Sequence, residues 1–264
     1  MMKKAILIIS FGTSYHETRE KTIDACERRL AASCPDRDAF RAFTSEMIIR
    51  KLAKRDGMNI DNPHQALMRL ADQGYQDVVI QSLHIINGDE YEKVVMQVNA
   101  HAGMFKRISI GAPLLSSHQD FEQLIGAMQS QMPALADDER VVFMGHGATH
   151  HAFAAYACLD HMLMAHQIPA VVGAVESYPE IHHVVARLQR QHVRHVHLMP
   201  LMLVAGDHAI NDMASDEEDS WKTQLAQAGI EATPWLQGLG ENPLIQQMFV
   251  EHLHEVINDV EEVA

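Results

Sequence analysis

A chain of 264 residues with 47% hydrophobic composition can bury one large or two small cores, which excludes a disordered or linker class. With 35 acidic against 21 basic residues and a formal charge of −14, nucleic acid and anionic membrane surfaces are not expected as partners. The 3 cysteines, Cys26, Cys34 and Cys158, have no CxxC spacing, which fits free thiols in a reducing cytoplasm and rules out an iron–sulfur or zinc cage.

The basic start Met1 to Lys4 followed by Ala5 to Ile9 imitates a signal peptide, but Ser10 and Gly12-Thr13-Ser14 end the apolar run. It reads instead as a parallel strand buried on both faces. No apolar stretch approaches the roughly 20 residues of a membrane helix, so the expected location is cytoplasmic. Ser14 and Glu17 have capping-box spacing and predict a helix through about Ala32, stopped before Pro35. A strand over Arg41 to Thr44, a helix from Ser45 to Arg55 and a helix from Asn62-Pro63 to Gly74 follow. Strand Asp77 to Ser82, a loop at His84, a helix near Glu90 to His101 and strand Arg107 to Ile110 complete the first half.

The second half repeats the order. Strand Arg140 to Met144 leads to a helix over His150 to His166, strand Ala170 to Val175 to a helix over Tyr178 to Gln191, and strand Val196 to Met199 to the loop Gly206-Asp207-His208. A helix near Ser220 to Ala228 and a strand near Glu231 to Pro234 come last. Val78 to Glu90 aligns without a gap on Val196 to His208, with Gly88 on Gly206 and Asp89 on Asp207. Three weaker matches place Phe11 on His146, Thr44 on Glu176 and Pro113 on Pro234. Such a repeat is too long for a solenoid. It predicts an α/β protein of two duplicated half-domains with parallel sheets and a cleft between them. The division is expected near Gln131 to Asp138, giving half-domains 1–135 and 136–264, with the last helix, Asn242 to Val260, free to pack on either.

In open parallel sheets, ligands bind beyond the carboxyl ends of the strands. His146, Glu176 and His208 all fall there in the second half, whereas their counterparts Phe11, Thr44 and Glu90 cannot form such a set. Two imidazoles and a carboxylate are borderline ligands suited to cobalt, iron, nickel or zinc. Three protein ligands leave coordination positions for a reacting partner. The remaining histidines gain nothing from this placement: His150, His151, His161 and His166 recur at helical spacing, and His182, His183, His192, His195 and His197 read as solvated or packed. Asp216 to Asp219 precede a helix and complement its dipole. Gly238-Leu239-Gly240 lacks the third glycine of a dinucleotide fingerprint, and neither GxxxxGK[ST] nor GxSxG occurs.

The segments Ser10 to Ser14, Ser82 to Tyr91, Met144 to Gly147, Val175 to Pro179 and Met199 to His208 together resemble the cobalt chelatases of anaerobic cobalamin biosynthesis. That family belongs to the class II chelatases, whose fold also includes protoporphyrin ferrochelatase. The resemblance runs over essentially the whole chain and implies a chelatase-like fold of two flavodoxin-like half-domains. It also implies insertion of cobalt(II) into sirohydrochlorin or its precorrin-2 form. The implied partners are a tetrapyrrole and Co2+ as substrate metal, with Fe2+ as the alternative, and no organic cofactor. The implied metal ligands are His146, Glu176 and His208, with His146 also the base and His84 contacting the macrocycle. Thr13 and Ser14 are expected to offer hydrogen bonds to its carboxylates. An iron chelatase, a metal-carrying protein and a zinc hydrolase stand as alternatives, and self-association is left open.

Overall fold

The computed structural model describes residues 2–261, with side-chain surroundings through residue 258. Among these, no helix is long and apolar enough to cross a membrane. By packing, the chain divides into Met1–Asp120 with Pro243–Ala264, and Phe121–Asn242.

In the first unit, β1 (Lys4–Ser10), β2 (Asp38–Phe43), β3 (Asp77–Ser82) and β4 (Arg107–Gly111) form a parallel sheet ordered β2-β1-β3-β4. Between them run α1 (His16–Lys21), α2 (Ile23–Ser33), α3 (Glu46–Asp56), α4 (Pro63–Asp72) and α5 (Asp89–His101). Successive strand residues point to opposite faces. Ala5, Leu7, Ile9, Val78 and Ile80 therefore meet Leu67, Leu70, Val94 and Val98 from α4 and α5 on one face. The other face carries Ile6 and Ile8 and is covered by α2 and by α10 (Pro243–Glu261), whose Ile245, Phe249 and Leu253 are fully enclosed. α4 begins as its sequence dictates, with Asn62 and Gln65 forming a reciprocal capping box ahead of Pro63.

α6 (His118–Gln131) runs through the division into the second unit. There β5 (Glu139–Gly145), β6 (Ala170–Ala174), β7 (His195–Leu201) and β8 (Glu231–Pro234) repeat the order as β6-β5-β7-β8. One face packs Val142, Met144, Val171, Val196 and Leu198 against α8 (Ile181–Arg190) and α9 (Trp221–Gln227). α7 (Ala154–Ala165) covers β6 from the other face.

Several expectations are corrected. The first helix is not continuous: Thr22 leaves helical geometry and separates α1 from α2, and Tyr15 opens α1 with no side-chain cap, so the Ser14–Glu17 box does not form. The helix expected from Tyr178 starts at Ile181, because the Pro179 carbonyl accepts from Ala174 N–H and Glu180 is extended. α6 was not anticipated, although Ser117 and Asp120 cap its start, with Asp120 Oδ2 accepting from the N–H groups of Ser116 and Ser117. The division falls inside α6 rather than near residue 135; the closing helix, whose partner half the sequence left open, packs on the first unit.

Strand register also revises two of the four repeat matches. Ser10 pairs with Phe43 and Gly145 with Ala174, so Ser45 rather than Thr44 is the counterpart of Glu176. Ile80 pairs with Ile110 and Leu198 with Pro234, so Pro234 matches Ile110 rather than Pro113. The duplication itself stands on the identical strand orders.

Candidate metal centre

β5 ends at Gly145, where the packing of α7 leaves no room for a side chain. A Cβ on Gly145 would lie 2.3 Å from the buried Tyr156 ring. Gly147 adopts φ +97°, and a Cβ there would meet Ser177 Oγ at 2.8 Å and Ser177 N at 2.9 Å. Between these glycines His146 projects from the strand end, and its carbonyl accepts from Glu176 N–H at 2.9 Å, extending the β5–β6 ladder by one rung. Ser177 Oγ accepts from Ala148 N–H at 3.1 Å and ties the two loops together. His208 stands on the loop after β7, where a π-helical turn, Ala209–Met213, begins.

His146, Glu176 and His208, which the sequence singles out, are thereby brought together: one potential ligand atom from each lies within 4.8 Å of the others. The His146 and His208 rings meet edge to face with centroids 4.6 Å apart, and His146 Nδ1 is 3.7 Å from Glu176 Oε2. His146 and Glu176 side chains are about half exposed, at 45% and 53%, so the group is open to a reacting partner. The second nitrogens are already oriented. His208 Nδ1 lies 2.5 Å from Asp212 Oδ2 and His146 Nδ1 lies 3.1 Å from the Gly147 carbonyl. Both oxygens only accept, so each ring donates through Nδ1 and keeps the Nε2 lone pair available.

Sequence reading did not find Asp212 or Ser177. Asp212 follows His208 at the spacing of one helical turn, a signal overlooked because no helical turn was expected there. Ser177 is silent until the Gly147 turn brings its hydroxyl under the loop.

His84 belongs to the first unit and is not a member of this group. Its Nδ1 is 2.7 Å from Ser82 Oγ, and Nε2 is enclosed with no hydrogen-bond partner. Burial pushes its pKa down to about 4, partly countered by Glu90, so the imidazole is neutral at physiological pH. The other counterparts are unlike those of the second unit: Phe11 is 47% exposed, Ser45 caps α3, and Glu90 pairs with Lys93 at 2.7 Å. Thr13 and Ser14 are buried, at 5% and 6% exposed, so the expectation that they greet a ligand is not met. A second group, Glu139, His195 and His197, also has ligand atoms within 4.8 Å of one another. The sequence marks both of its histidines only as solvated or packed, because strand pairing with Glu139 is invisible along the chain.

Known proteins place this architecture. A sirohydrochlorin cobaltochelatase from Salmonella typhimurium is 67% identical over 264 residues, covering 100% of both chains. The Nitratidesulfovibrio vulgaris protein named sirohydrochlorin cobaltochelatase CbiKC is 33% identical, covering 99% of this chain and 93% of its own. The solved structure titled SirB from Bacillus subtilis with Fe3+ superposes with a TM-score of 0.63 over 99% of this chain and 98% of that one, at 13% identity, which speaks to the fold alone. The family described as cobalt chelatase (CbiK) matches residues 4–258, and with its duplicated sheets and full-length relatives the chain belongs to that family.

Proposed function

We propose that the chain inserts cobalt(II) into sirohydrochlorin or its precorrin-2 form, in the cytoplasm, with His146, Glu176 and His208 receiving the ion. The observation that carries this reading is the convergence of those side chains within 4.8 Å at the carboxyl ends of three strands. Metallation replaces two pyrrole N–H protons with one divalent cation, so the site must hold the ion loosely and remove two protons. His146 is the base: once the ion has passed on, its Nε2 takes one pyrrole proton, and solvent at this half-exposed site takes the other. Glu176 and His208 hold the ion as water and protein ligands give way stepwise to macrocycle nitrogens. Asp212 fixes the His208 tautomer and steadies the ring during that exchange. His84, neutral through burial, serves as a contact to the macrocycle. No organic cofactor or nucleotide enters the scheme.

Iron(II) is the alternative ion, because first-row affinity order does not choose between metals that share these ligands. An anaerobic absorbance assay with sirohydrochlorin and either Co2+ or Fe2+ decides. Cobalt insertion is expected, and His146→Ala is expected to lower turnover at least about 100-fold. Normal turnover in that variant rejects His146 as the base, and preference for iron transfers the reading to an iron chelatase. Glu176→Ala and His208→Ala are expected to weaken cobalt binding by calorimetry; unchanged affinity in both moves the metal elsewhere. Metal uptake with no absorbance change on adding sirohydrochlorin favours a metal carrier.

A further inference from the structure

We infer that Glu139, His195 and His197 form a second site for a borderline divalent transition cation, and that the Trp235 indole holds this site closed. The inference does not rest on the proposed reaction. Glu139 opens β5 and His195 opens β7, where the two are register partners. His197, two residues further, points to the same face. The group lies at the opposite end of the sheet from His146: the seven residues of β5 separate them by about 20 Å at roughly 3.3 Å per residue. It is therefore independent of the strand-end group.

His195 Nδ1 lies 2.9 Å from Glu139 Oε1, and its Nε2 lies 2.9 Å from Thr233 Oγ1. The Glu139 carboxylate only accepts, so without an ion His195 donates through Nδ1 and its Nε2 accepts from the Thr233 hydroxyl; a cation bound at Nδ1 moves that proton to Nε2, where Thr233 Oγ1 turns to accept it, and Glu139 shares the ion. His197 is only 9% exposed, and its Nε2 has no hydrogen-bond partner although Glu139 Oε2 stands 3.7 Å away. A buried nitrogen left without a partner costs free energy that a shared cation would recover. Two imidazoles and one carboxylate, one potential ligand atom from each within 4.8 Å of the others, suit cobalt, nickel or zinc.

Trp235 sets the condition for binding. Its indole Nε1–H, which can only donate, lies 3.1 Å from His197 Nδ1, so that nitrogen accepts and the ring proton sits on Nε2. Coordination through Nε2 requires that proton to leave and another to be taken up at Nδ1, which releases the indole with no net proton lost from His197. Trp235 is 41% exposed, so its freed N–H can turn to water. The ion and the indole compete for one imidazole.

Equilibrium dialysis of the full chain against Co2+ or Zn2+ alone, with metal counted per chain and tryptophan emission followed, tests this. In a His146→Ala/His208→Ala background, one ion per chain is expected, with a red shift from Trp235; the other tryptophan, Trp221, is buried and supplies a constant signal. Trp235→Phe in that background removes the competing donor and tightens binding roughly two- to tenfold, the worth of one hydrogen bond. A gain of affinity cannot come from a misfolded variant. Adding Glu139→Gln with His195→Ala is expected to abolish the remaining ion. No ion bound by the His146→Ala/His208→Ala protein, affinity unchanged or weakened by Trp235→Phe, or binding that survives Glu139→Gln with His195→Ala overturns the inference. An ion retained here while wild-type protein fails to metallate sirohydrochlorin leaves this site standing and removes the reaction.

Discussion

His84 Nε2 is enclosed at the end of β3, and the cause of its low pKa, burial, has a consequence for acid stability. The folded value of about 4 lies below the unperturbed 6.5, so between those pH values the unfolded chain binds the extra proton. Stability is then complete above about pH 6.5 and falls as pH drops towards 4, by at most about 3 kcal/mol for that displacement. A His84→Asn variant is expected to lose this part of the acid sensitivity. Urea unfolding of both proteins at pH 7 and pH 4.5 checks it, and equal acid losses would show that His84 is not the source. At this scale the sequence located His146, Glu176 and His208 through their places after strands, and His84 through the family resemblance. It could not show which are enclosed, which nitrogen each presents, or that Asp212 orients His208, because those depend on what packs around each ring.

Local geometry decides how the ligand loops are held. Gly147 combines φ +97° with backbone of Glu176 and Ser177 pressed against the position of its missing Cβ. Gly147→Ala is therefore expected to destabilise the second unit by about 1–3 kcal/mol and to weaken cobalt binding at the proposed His146 site, because the loop must shift to relieve both strains. Thermal unfolding and calorimetry check the two effects; a variant with wild-type stability and affinity would show that the loop tolerates a side chain. Gly74 and Gly229 also have positive φ but open space around them, so only the backbone preference opposes alanine there. Elements with local signals were legible: the helix beginning at Asn62-Pro63, the helix from Ser45 and the continuous apolar strands all formed, the two helices with side-chain caps at Asn62 and Ser45. The break at Thr22 and the late start of α8 were not, since each turns on a backbone group engaged by a partner outside the helix pattern.

At the scale of the molecule, α10 is the element whose destination the chain order left undecided. It supplies Ile245, Phe249 and Leu253, all fully buried, to the face of the first sheet shared with α2. A buried pair, His252 Nε2 and Asp120 Oδ1 at 2.9 Å, ties it to the start of α6. Truncation after Asn242 removes about 6 kcal/mol of apolar burial at roughly 2 kcal/mol per large side chain, and is expected to unfold the first unit. Hydrogen exchange of β1 and β3 amides measures this, and native protection in the truncated chain would show that α10 is dispensable. The unit that unfolds would be the one formed from the chain's beginning and end.

The sequence by itself determined the alternation of strands and helices, the duplication, the parallel sheets and the placing of His146, Glu176 and His208 beyond strand ends. These follow from periodicity, turn chemistry and repeat spacing, which are properties of neighbouring residues. Only the tertiary structure decided that Ser45 is the counterpart of Glu176, that α10 joins the first unit, and that Glu139 meets His195 and His197. Each of those depends on which backbone groups pair between strands and which apolar faces find each other, and residues far apart in the chain carry no local mark of that choice.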